Sequence, residues 1–531
     1  MKIWIIALLS YTLCLGVATT ADAGREEVYA RMDEIALSAP PEVTSSVAAL
    51  TDYLIAEAKT DLQKARVIYR WITHNIHYDA NAYISGRVRA VDIKADAVLR
   101  DRTSVCDGYA RLFEAMAKHA GLKAERITGT VKGYSFEPGL KIKKANHAWN
   151  AVELEGAWYL LDTTWGAGYV DFQSRSFVSA FNEFFFLPAP DRLKFSHHPE
   201  DSIWQLLEKP IGFKEFAGYV DIRPAFFQNG MGLIDATTRT LNTKGDLDLR
   251  FKVPAEAEIT AILNRGKEAL ALNHQSWQRT GDTVLGKLAL PTAGRYELQV
   301  FAKQKTDPGK FSIALIYQID SKGASRRTFP LLHQAFFNAG LELVSHQEGI
   351  IQTKSQVDII LANPNNGFVT ARLLEAGEAQ PLNLIAVQRR SDTVVTKILL
   401  PFKGKYQLQL FVSQLADQPA QLAAEYTIVS SEGAGNQASY PQFFSAYLKQ
   451  KAELVRPFQG TIKSYHEEEF KIKVPGADRV AIVVNNEWHY LTRENDVFTG
   501  IVPVTSGVVK LVGSFGEKSD QFQVLAQFDA L

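Results

Sequence analysis

The chain has 531 residues, of which 58 are basic and 58 acidic, so its formal net charge at pH 7 is zero. This balance leaves no overall field that would attract nucleic acid or an anionic membrane surface. With 46% hydrophobic and 11% aromatic residues, the chain can bury large cores, and its length requires several domains.

The N-terminus has the pattern of a cleavable signal peptide. Lys2 precedes an apolar run from Ile3 to Ala18, and the small-x-small tripeptide Ala21–Ala23 follows. We therefore predict that residues 1–23 are a signal peptide, that Gly24 is the mature N-terminus and that the protein is secreted or periplasmic. The apolar run is shorter than the ~20 residues of a transmembrane helix, so no stable membrane anchor is expected, and an uncleaved anchor is the alternative.

Removal of this peptide takes away Cys14 and leaves Cys106 as the one cysteine of the mature chain. A lone thiol in an oxidising compartment has no partner for a disulfide within the chain. It is either a small buried core residue or a reactive group, and the residues around it favour reactivity.

Residues from about 25 to 75 are predicted to be helical, because apolar positions recur there at helical spacing. These positions are Leu62, Ala65, Ile68, Tyr69 and Ile72. His74 and His77 follow at the end of the helix and could bind a metal as an i, i+3 pair. No third ligand accompanies them, so a structural role that complements the helix dipole is the preferred interpretation.

A further helix is predicted to contain Cys106 in its first turn. Ser104 and Asp107 have the S-x-x-D spacing of a capping box, and an apolar face then runs to a stop at Gly121. The face consists of Ala110, Phe113, Met116, Ala117 and Ala120. In the first turn, unpaired backbone N–H groups and the positive end of the helix dipole favour a thiolate.

A strand from Asn146 to Val152 and a second strand from Ala157 to Asp162 flank a turn and are predicted to form a hairpin. Folding about the middle of the turn would place His147 directly opposite Asp162, with Cβ atoms roughly 4.5–5.5 Å apart. The carboxylate could then fix the imidazole tautomer and leave the other ring nitrogen free to face a thiol. A slip of one residue in register would break this pairing.

Three other segments of the N-terminal region contain residue types that can contribute to function. Lys132–Ala145, with three further lysines at 141, 143 and 144, directly precedes His147, so it is either a substrate-side loop or, preferably, a solvated surface. Phe184–Pro188 is predicted to pack in the core at the end of the domain. His197–Pro199 has too few partners for a metal site.

Beyond about residue 212 the sequence repeats with a period of about 110 residues. Ala225–Gly230 returns as Ala335–Gly340, and Gly294–Phe301 returns as Gly404–Phe411. Short alternating runs between Gly and Pro turns are typical of antiparallel strands, and about 100 residues is the size of an immunoglobulin-like sandwich. A third copy, marked by Phe443-Phe444, is more diverged. No cluster with metal-ligand spacing occurs in the repeats, which favours a spacer or partner-binding role.

Three blocks of the N-terminal region resemble the motifs of the transglutaminase-like superfamily, in the family's order. They are Cys106–Ala110, Asn146–Asn150 and Leu161–Trp165, within a resemblance that covers roughly residues 50–205. Thr163 departs from the family pattern, which usually has proline there, and is expected to alter the local turn rather than the carboxylate. The β repeats that follow make the layout similar to the kyphoscoliosis-peptidase group.

The resemblance implies an α+β fold, with a papain- or transglutaminase-like core domain followed by tandem immunoglobulin-like β-sandwich domains. The predicted boundaries are 1–23 for the signal peptide, 24–211 for the cysteine-enzyme domain, and 212–322, 323–432 and 433–531 for the three sandwich repeats.

The resemblance also implies a catalytic triad, in the roles that the residues themselves suggest. Cys106 would be the nucleophile, His147 the general base and then acid, and Asp162 the orienting group, with a thioester acyl-enzyme as intermediate. The backbone N–H of Cys106 is a natural oxyanion donor. No cofactor and no metal are expected.

The triad alone does not decide what resolves the thioester. Water would make the protein a peptidase or amidase that acts on protein or peptide substrates, which is the preferred function, and an amine would make it a cross-linking transglutaminase. A non-catalytic binding or scaffold protein that uses its β repeats for a protein partner is a second alternative.

Overall fold

The computed structural model describes residues 20–133, 145–390, 392–415, 418–435, 438–516 and 521–531. The predicted signal peptide lies outside these residues except for its last four, which begin the first helix. Most of the lysine-rich segment before His147, residues 134–144, also lies outside them. Among the described residues, no helix is both long enough and apolar enough to cross a membrane.

The N-terminal domain begins with helices that the sequence predicted as one helical region. Pro40 and Pro41 interrupt that region, and Thr60 starts a new helix through a reciprocal capping box with Gln63. The helices of the domain are α1 Thr20–Leu37, α2 Val47–Ile55, α3 Asp61–Asn75, α4 Ala80–Ile84, α5 Ala95–Asp101, α6 Cys106–His119, α7 Thr163–Ala167 and α8 Pro190–Leu193, and α9 Phe213–Gly218 follows beyond the predicted boundary at residue 211.

One antiparallel sheet forms the second half of this domain and consists, in spatial order, of β5 (Ala157–Leu161), β4 (His147–Leu154), β3 (Ala124–Val131) and β8 (His197–Pro199). Helix α6 packs on β3 and β4 and also contacts α3 and α5. Its predicted apolar face is buried, and Phe113 and Met116 are fully enclosed in the core. The strands are β1 His77–Tyr78, β2 Thr103–Ser104, β3 Ala124–Val131, β4 His147–Leu154, β5 Ala157–Leu161, β6 Gly168–Asp171, β7 Ser176–Ser179 and β8 His197–Pro199.

Gly108, in the first turn of α6, is required by close packing. A Cβ at this position would overlap Ser104 Oγ and lie 2.9 Å from Val98 Cγ2. We expect Gly108→Ala to destabilise the protein by about 1 to 2 kcal/mol, because overpacking outweighs the ~1 kcal/mol helix preference of alanine. Urea unfolding measures this loss. Gly218→Ala is the control, since a Cβ there meets open space, and a Gly108→Ala protein as stable as the wild type would contradict the packing argument.

Three β-sandwiches of one topology follow, and the predicted fold class is confirmed. Each pairs a four-stranded sheet with a six-stranded sheet, and the strand orders correspond in all three. The first contains β9 Asp221–Ile222, α10 Pro224–Gln228, β10 Gly232–Leu233, β11 Thr240–Thr243, β12 Asp246–Lys252, β13 Ala257–Arg265, β14 Glu268–Ala269, β15 Gln275–Thr280, β16 Thr283–Ala289, β17 Gly294–Gln304 and β18 Ser312–Ser321.

The second and third sandwiches repeat these elements. The second contains β19 Leu331–Leu332, α11 Gln334–Asn338, β20 Glu342–Leu343, β21 Ile350–Thr353, β22 Gln356–Ala362, β23 Phe368–Glu375, β24 Glu378–Ala379, β25 Ile385–Arg390, β26 Thr393–Leu399, β27 Gly404–Ser413 and β28 Gln421–Ser430. The third contains β29 Gln442–Phe443, α12 Ser445–Lys449, β30 Glu453–Arg456, β31 Thr461–Ile462, β32 His466–Lys473, β33 Ala477–Val484, β34 Glu487–Tyr490, β35 Thr492–Glu494, β36 Val497–Val504, β37 Gly507–Phe515 and β38 Phe522–Ala530.

The Gly-x-Tyr motif of the first two repeats has a structural role. Tyr296 and Tyr406 are buried near the start of β17 and β27. Their hydroxyls donate to the carbonyls of Thr292 (2.8 Å) and Phe402 (3.0 Å) in the preceding turns. The motif therefore fixes a corner of each sandwich. In the third repeat β37 also begins with a glycine, Gly507, but has valine in place of the tyrosine.

The N-terminal domain packs directly on the first sandwich. Phe184 stacks on Phe227, with ring centroids 5.4 Å apart, while Phe185 and Phe186 are buried in the N-terminal domain. The predicted packing role of this phenylalanine run is therefore correct, and one of its rings also serves the contact between domains.

Candidate active site

Cys106 is the first residue of α6, and its side chain is half-buried. The predicted capping box is wrong. Val105 is the N-cap, and Ser104 Oγ is buried without a hydrogen-bonding partner in the described part of the chain. Ser104 belongs to β2, where its carbonyl accepts from Asp79 N at 2.9 Å, and its side chain packs against Gly108 of the first turn without capping it. The position of Cys106 in the first turn is nevertheless as expected.

Asp107, the other member of the predicted box, forms ion pairs instead. Its Oδ1 lies 3.0 Å from Arg126 Nη1 and 3.4 Å from Arg111 Nε. Helix α6 therefore starts without a side-chain cap. Strand β2, which lies just before the N-cap, holds the start of the helix in place.

His147 is the first residue of β4 and connects Cys106 to Asp162. Its Nε2 lies 2.7 Å from Asp162 Oδ2, and both side chains are almost completely buried. Because Nε2 faces the carboxylate, Nδ1 is the ring nitrogen left to face Cys106, which lies close enough to raise the pKa of His147. The structure thus brings the three predicted residues together in the order thiol, imidazole, carboxylate.

The predicted register of the hairpin is wrong by two residues. Asn150 pairs with Leu161 and Leu154 with Ala157, so the turn is the two-residue Glu155-Gly156, and both turn residues have positive φ. A shift of two residues leaves every side chain on its original face of the sheet. His147 and Asp162 consequently still meet, although they are not directly opposite.

Asp162 lies just after β5 and is the N-cap of α7. Its Oδ1 accepts from the backbone N–H groups of Thr164 (2.8 Å) and Trp165 (3.0 Å). Thr163, the departure from the family pattern, is the first residue of α7, where proline is also favoured. The capped turn therefore forms with threonine, and the carboxylate points back towards His147.

A fourth residue, His197, also contacts this carboxylate. His197 Nε2 lies 3.2 Å from Asp162 Oδ2, and its side chain is 1% exposed. Sequence reasoning missed this role because β8 reaches the site by pairing with β3, where His197 is opposite Val131. Nothing in the sequence around residue 197 signals that long-range pairing.

The electrostatics favour a charged pair at the centre of the site. Burial alone would raise the pKa of Asp162, but the charge and hydrogen bond of His147, together with His197, hold it well below its usual range. Burial alone would lower the pKa of His147, but Asp162 and Cys106 raise it to about 10. Burial is the main cause that lowers the pKa of His197. At neutral pH the carboxylate is therefore ionised, His147 is an imidazolium and His197 is neutral.

These three side chains are also the one group with metal-ligand proximity among the described residues, since their ligand atoms lie within 4.8 Å of one another. Both imidazoles direct Nε2 at the same carboxylate oxygen, at distances that fit N–H···O hydrogen bonds. A metal ion could bind only if both imidazoles lost the proton on Nε2. The two N–H···O hydrogen bonds therefore explain the arrangement without a metal. His74 and His77 belong to no such group in the described chain.

The lysine-rich segment before His147 is anchored at both ends. Lys132 is 1% exposed and its Nζ donates to Tyr219 O at 2.8 Å, so this lysine is not the solvated residue that the preferred interpretation expected. The Asn146 side chain accepts from Val131 N and donates to Val131 O. The chain therefore leaves and re-enters the sheet at one place beside His147. The predicted substrate-side role concerns residues outside the described part.

Comparison with known proteins agrees with this architecture. A family model described as the transglutaminase-like superfamily matches residues 48–163, which include Cys106, His147 and Asp162. A model described as the KY-like, immunoglobulin-like domain matches residues 213–331 and 326–441.

Several curated proteins are similar over most of the chain. Kyphoscoliosis peptidase of Homo sapiens is 30% identical over 458 residues, which are 83% of this chain and 67% of that protein. Kyphoscoliosis peptidase of Mus musculus is 28% identical over 463 residues, or 84% and 68%. Hillarin of Drosophila melanogaster is 25% identical over 438 residues, 72% of this chain and 52% of that protein. The chain thus spans about two thirds of the kyphoscoliosis peptidases and about half of Hillarin.

Proposed function

The chain belongs to the transglutaminase-like superfamily and, within it, to the group of the kyphoscoliosis peptidases, and from this premise we propose that it is a thiol enzyme that cleaves or transfers amide groups of proteins or peptides. The observation that carries the proposal is the buried His147, which is hydrogen-bonded to Asp162 at 2.7 Å and lies close enough to Cys106 for the thiol to raise the pKa of its imidazole. A scaffold role would not require a thiol to be held against a buried, charged imidazole.

The chemistry proceeds in two half-reactions. The Cys106 thiolate attacks the carbonyl carbon of the substrate amide, and the backbone N–H of Cys106 stabilises the oxyanion. The C–N bond then breaks as His147 donates its proton to the leaving amine or ammonia, which leaves a thioester on Cys106. In the second half, His147 takes a proton from the incoming nucleophile, and collapse of the tetrahedral intermediate releases the thiolate. Asp162 keeps the imidazole oriented and stabilises its charge throughout.

Hydrolysis is the preferred second half-reaction, and protein cross-linking is the alternative. Water reaches any accessible thioester, whereas transfer to an amine needs a shielded acyl-enzyme and an amine site. Two of the relatives, those of Homo sapiens and Mus musculus, are named peptidases, which supports hydrolysis.

Incubation of the mature protein with a glutamine-containing peptide, with and without a primary amine, distinguishes these outcomes by mass spectrometry. Backbone cleavage or deamidation identifies a peptidase or amidase, and an amine adduct identifies a transglutaminase. A Cys106→Ala protein is the control and should give none of these products. Wild-type protein that gives no product with any of a panel of peptides would favour the binding or scaffold alternative.

The same proposal includes export and a role for the sandwiches. We expect the protein to be secreted or periplasmic, with the mature chain starting at Gly24, and intact mass of the exported protein tests that start. The three sandwiches would act as spacers or bind a protein partner outside the cell.

A further inference from the structure

We propose that His197 is a positioning residue of the active site, which holds Asp162 by donating a second hydrogen bond to the oxygen that faces His147. This inference rests on the proposed function, since it assigns His197 an effect that reaches the thiol only through Asp162 and His147. It extends the predicted triad by one residue.

The hydrogen bonds of Asp162 give His197 a distinct place. An ionised carboxylate has about four acceptor sites, and in Asp162 all four are used. Oδ1 accepts from two backbone N–H groups of α7, and Oδ2 accepts from His147 (2.7 Å) and His197 (3.2 Å). A carboxylate that is 1% exposed depends on such donors to remain charged. Without His197, the oxygen that works with His147 would keep one donor.

His197 is itself fixed so that it must act as a donor. An ionised carboxylate can only accept, so Nε2 carries the proton, and Nδ1 lies 2.8 Å from the Ser196 hydroxyl oxygen. The ring packs edge-on against Trp165 and Trp149, with centroids 4.8 and 5.0 Å away. These contacts fix both the tautomer and the orientation of the ring.

The charge around Asp162 favours a neutral partner at this position. Asp162 is flanked by the His147 imidazolium, whose pKa both Asp162 and Cys106 raise. Burial and the negative charge of Asp162 raise the pKa of Tyr69, Tyr78 and Tyr109. Their hydroxyls are therefore uncharged at neutral pH. A second imidazolium would leave two positive rings on one carboxylate. His197 therefore supplies a hydrogen bond without adding charge.

The test compares variants that differ in one hydrogen bond. His197→Phe keeps an aromatic ring among Trp149 and Trp165 but has no donor, whereas the side-chain amide of His197→Gln can donate. His198→Phe is the matched control, because His198 bonds Ile211 O and packs on Phe216 rather than contacting Asp162. The measured quantity is the rate at which iodoacetamide alkylates Cys106, determined across a range of pH.

We expect His197→Phe to slow alkylation at neutral pH about tenfold, as the loss of one charge-assisted hydrogen bond implies. We also expect its rate to decline at a higher pH than in the wild type as the solution is acidified, because Asp162 then accepts a proton more readily. His197→Gln should restore most of the rate and the profile, and His198→Phe should change neither. If His197→Phe does not fold, His197→Met serves in its place, since methionine has similar length and no donor.

The possible results distinguish a failure of the role assigned to His197 from a failure of the proposed function. Donor-free variants with the wild-type rate and pH profile would overturn the role of His197, and so would a glutamine variant that behaves like them. Wild-type alkylation that does not depend on His147 would instead overturn the proposed function itself. Alkylation that depends on His147 but not on His197 would remove only the inference drawn here.

Discussion

Replacement of Asp162 by asparagine is expected to reduce amide turnover about 10³- to 10⁴-fold while the fold remains intact, by analogy with the same change in a serine-protease triad. The asparagine Oδ1 can still accept from Thr164 N and Trp165 N, so α7 keeps its cap. The other carboxylate oxygen becomes an NH₂ group, which donates instead of accepting. His147 Nε2 must then accept, its proton moves to Nδ1, and the ring can no longer take a proton on the side of Cys106.

Steady-state kinetics on the peptide that the wild type turns over, together with urea unfolding, measure both parts of this expectation. Asp201→Asn is the matched control, because Asp201 is also a helix cap, accepting from Ile203 N, and it is exposed. The control should retain full turnover. An Asp162→Asn protein that folds and keeps turnover within tenfold of the wild type would contradict the orienting role of the carboxylate.

Removal of the nucleophile should have the largest effect. We expect Cys106→Ala to lower turnover by about six orders of magnitude, to a level near background, since that is the order of loss when a triad nucleophile is removed. The thiol is only half-buried, so the substitution leaves no large cavity and stability should change little. Intact-mass detection of the acyl-enzyme, present in the wild type and absent in the variant, gives a second readout.

Ser104→Ala is the control for this change, because it also deletes one side-chain heavy atom, two residues away. Ser104 Oγ is buried and has no hydrogen-bonding partner among the described residues, so its removal should not reduce stability or turnover. Product formation by Cys106→Ala at more than background rates would show that another group carries the chemistry.

The parts of the site that could be predicted from sequence are those that local patterns determine. The position of Cys106 at a helix start could be predicted because an apolar face with helical spacing begins just after it. His147 and Asp162 lie on the same face of one hairpin. An error of two residues in the predicted register leaves both side chains on that face. The repeats could be predicted because the first two copies carry glycine, tyrosine and phenylalanine at the same positions, while the third keeps a glycine and a phenylalanine pair.

The parts that sequence reasoning missed depend on pairing between distant segments. His197 enters the site through β8, which pairs with a strand some 65 residues earlier in the chain, and no local pattern reports that contact. Ser104 has the spacing of a cap, but it pairs with Tyr78 in a parallel ladder, and Val105 is the N-cap instead. The burial of Lys132 depends on Tyr219, at the contact between the N-terminal domain and the first sandwich.

The most direct measurement is the pH dependence of Cys106 alkylation in the wild type and in His147→Ala. Asp162 holds a proton on His147, whose pKa is raised to about 10, so the imidazolium persists on the acid side of that value and stabilises the thiolate. We expect the wild type to alkylate at pH 6 at nearly its pH 8 rate. His147→Ala should instead lose close to tenfold in rate per pH unit below about pH 8, as an isolated thiol does. A wild type that already shows this loss, or a His147→Ala protein that alkylates like the wild type, would contradict a working Cys106–His147 pair.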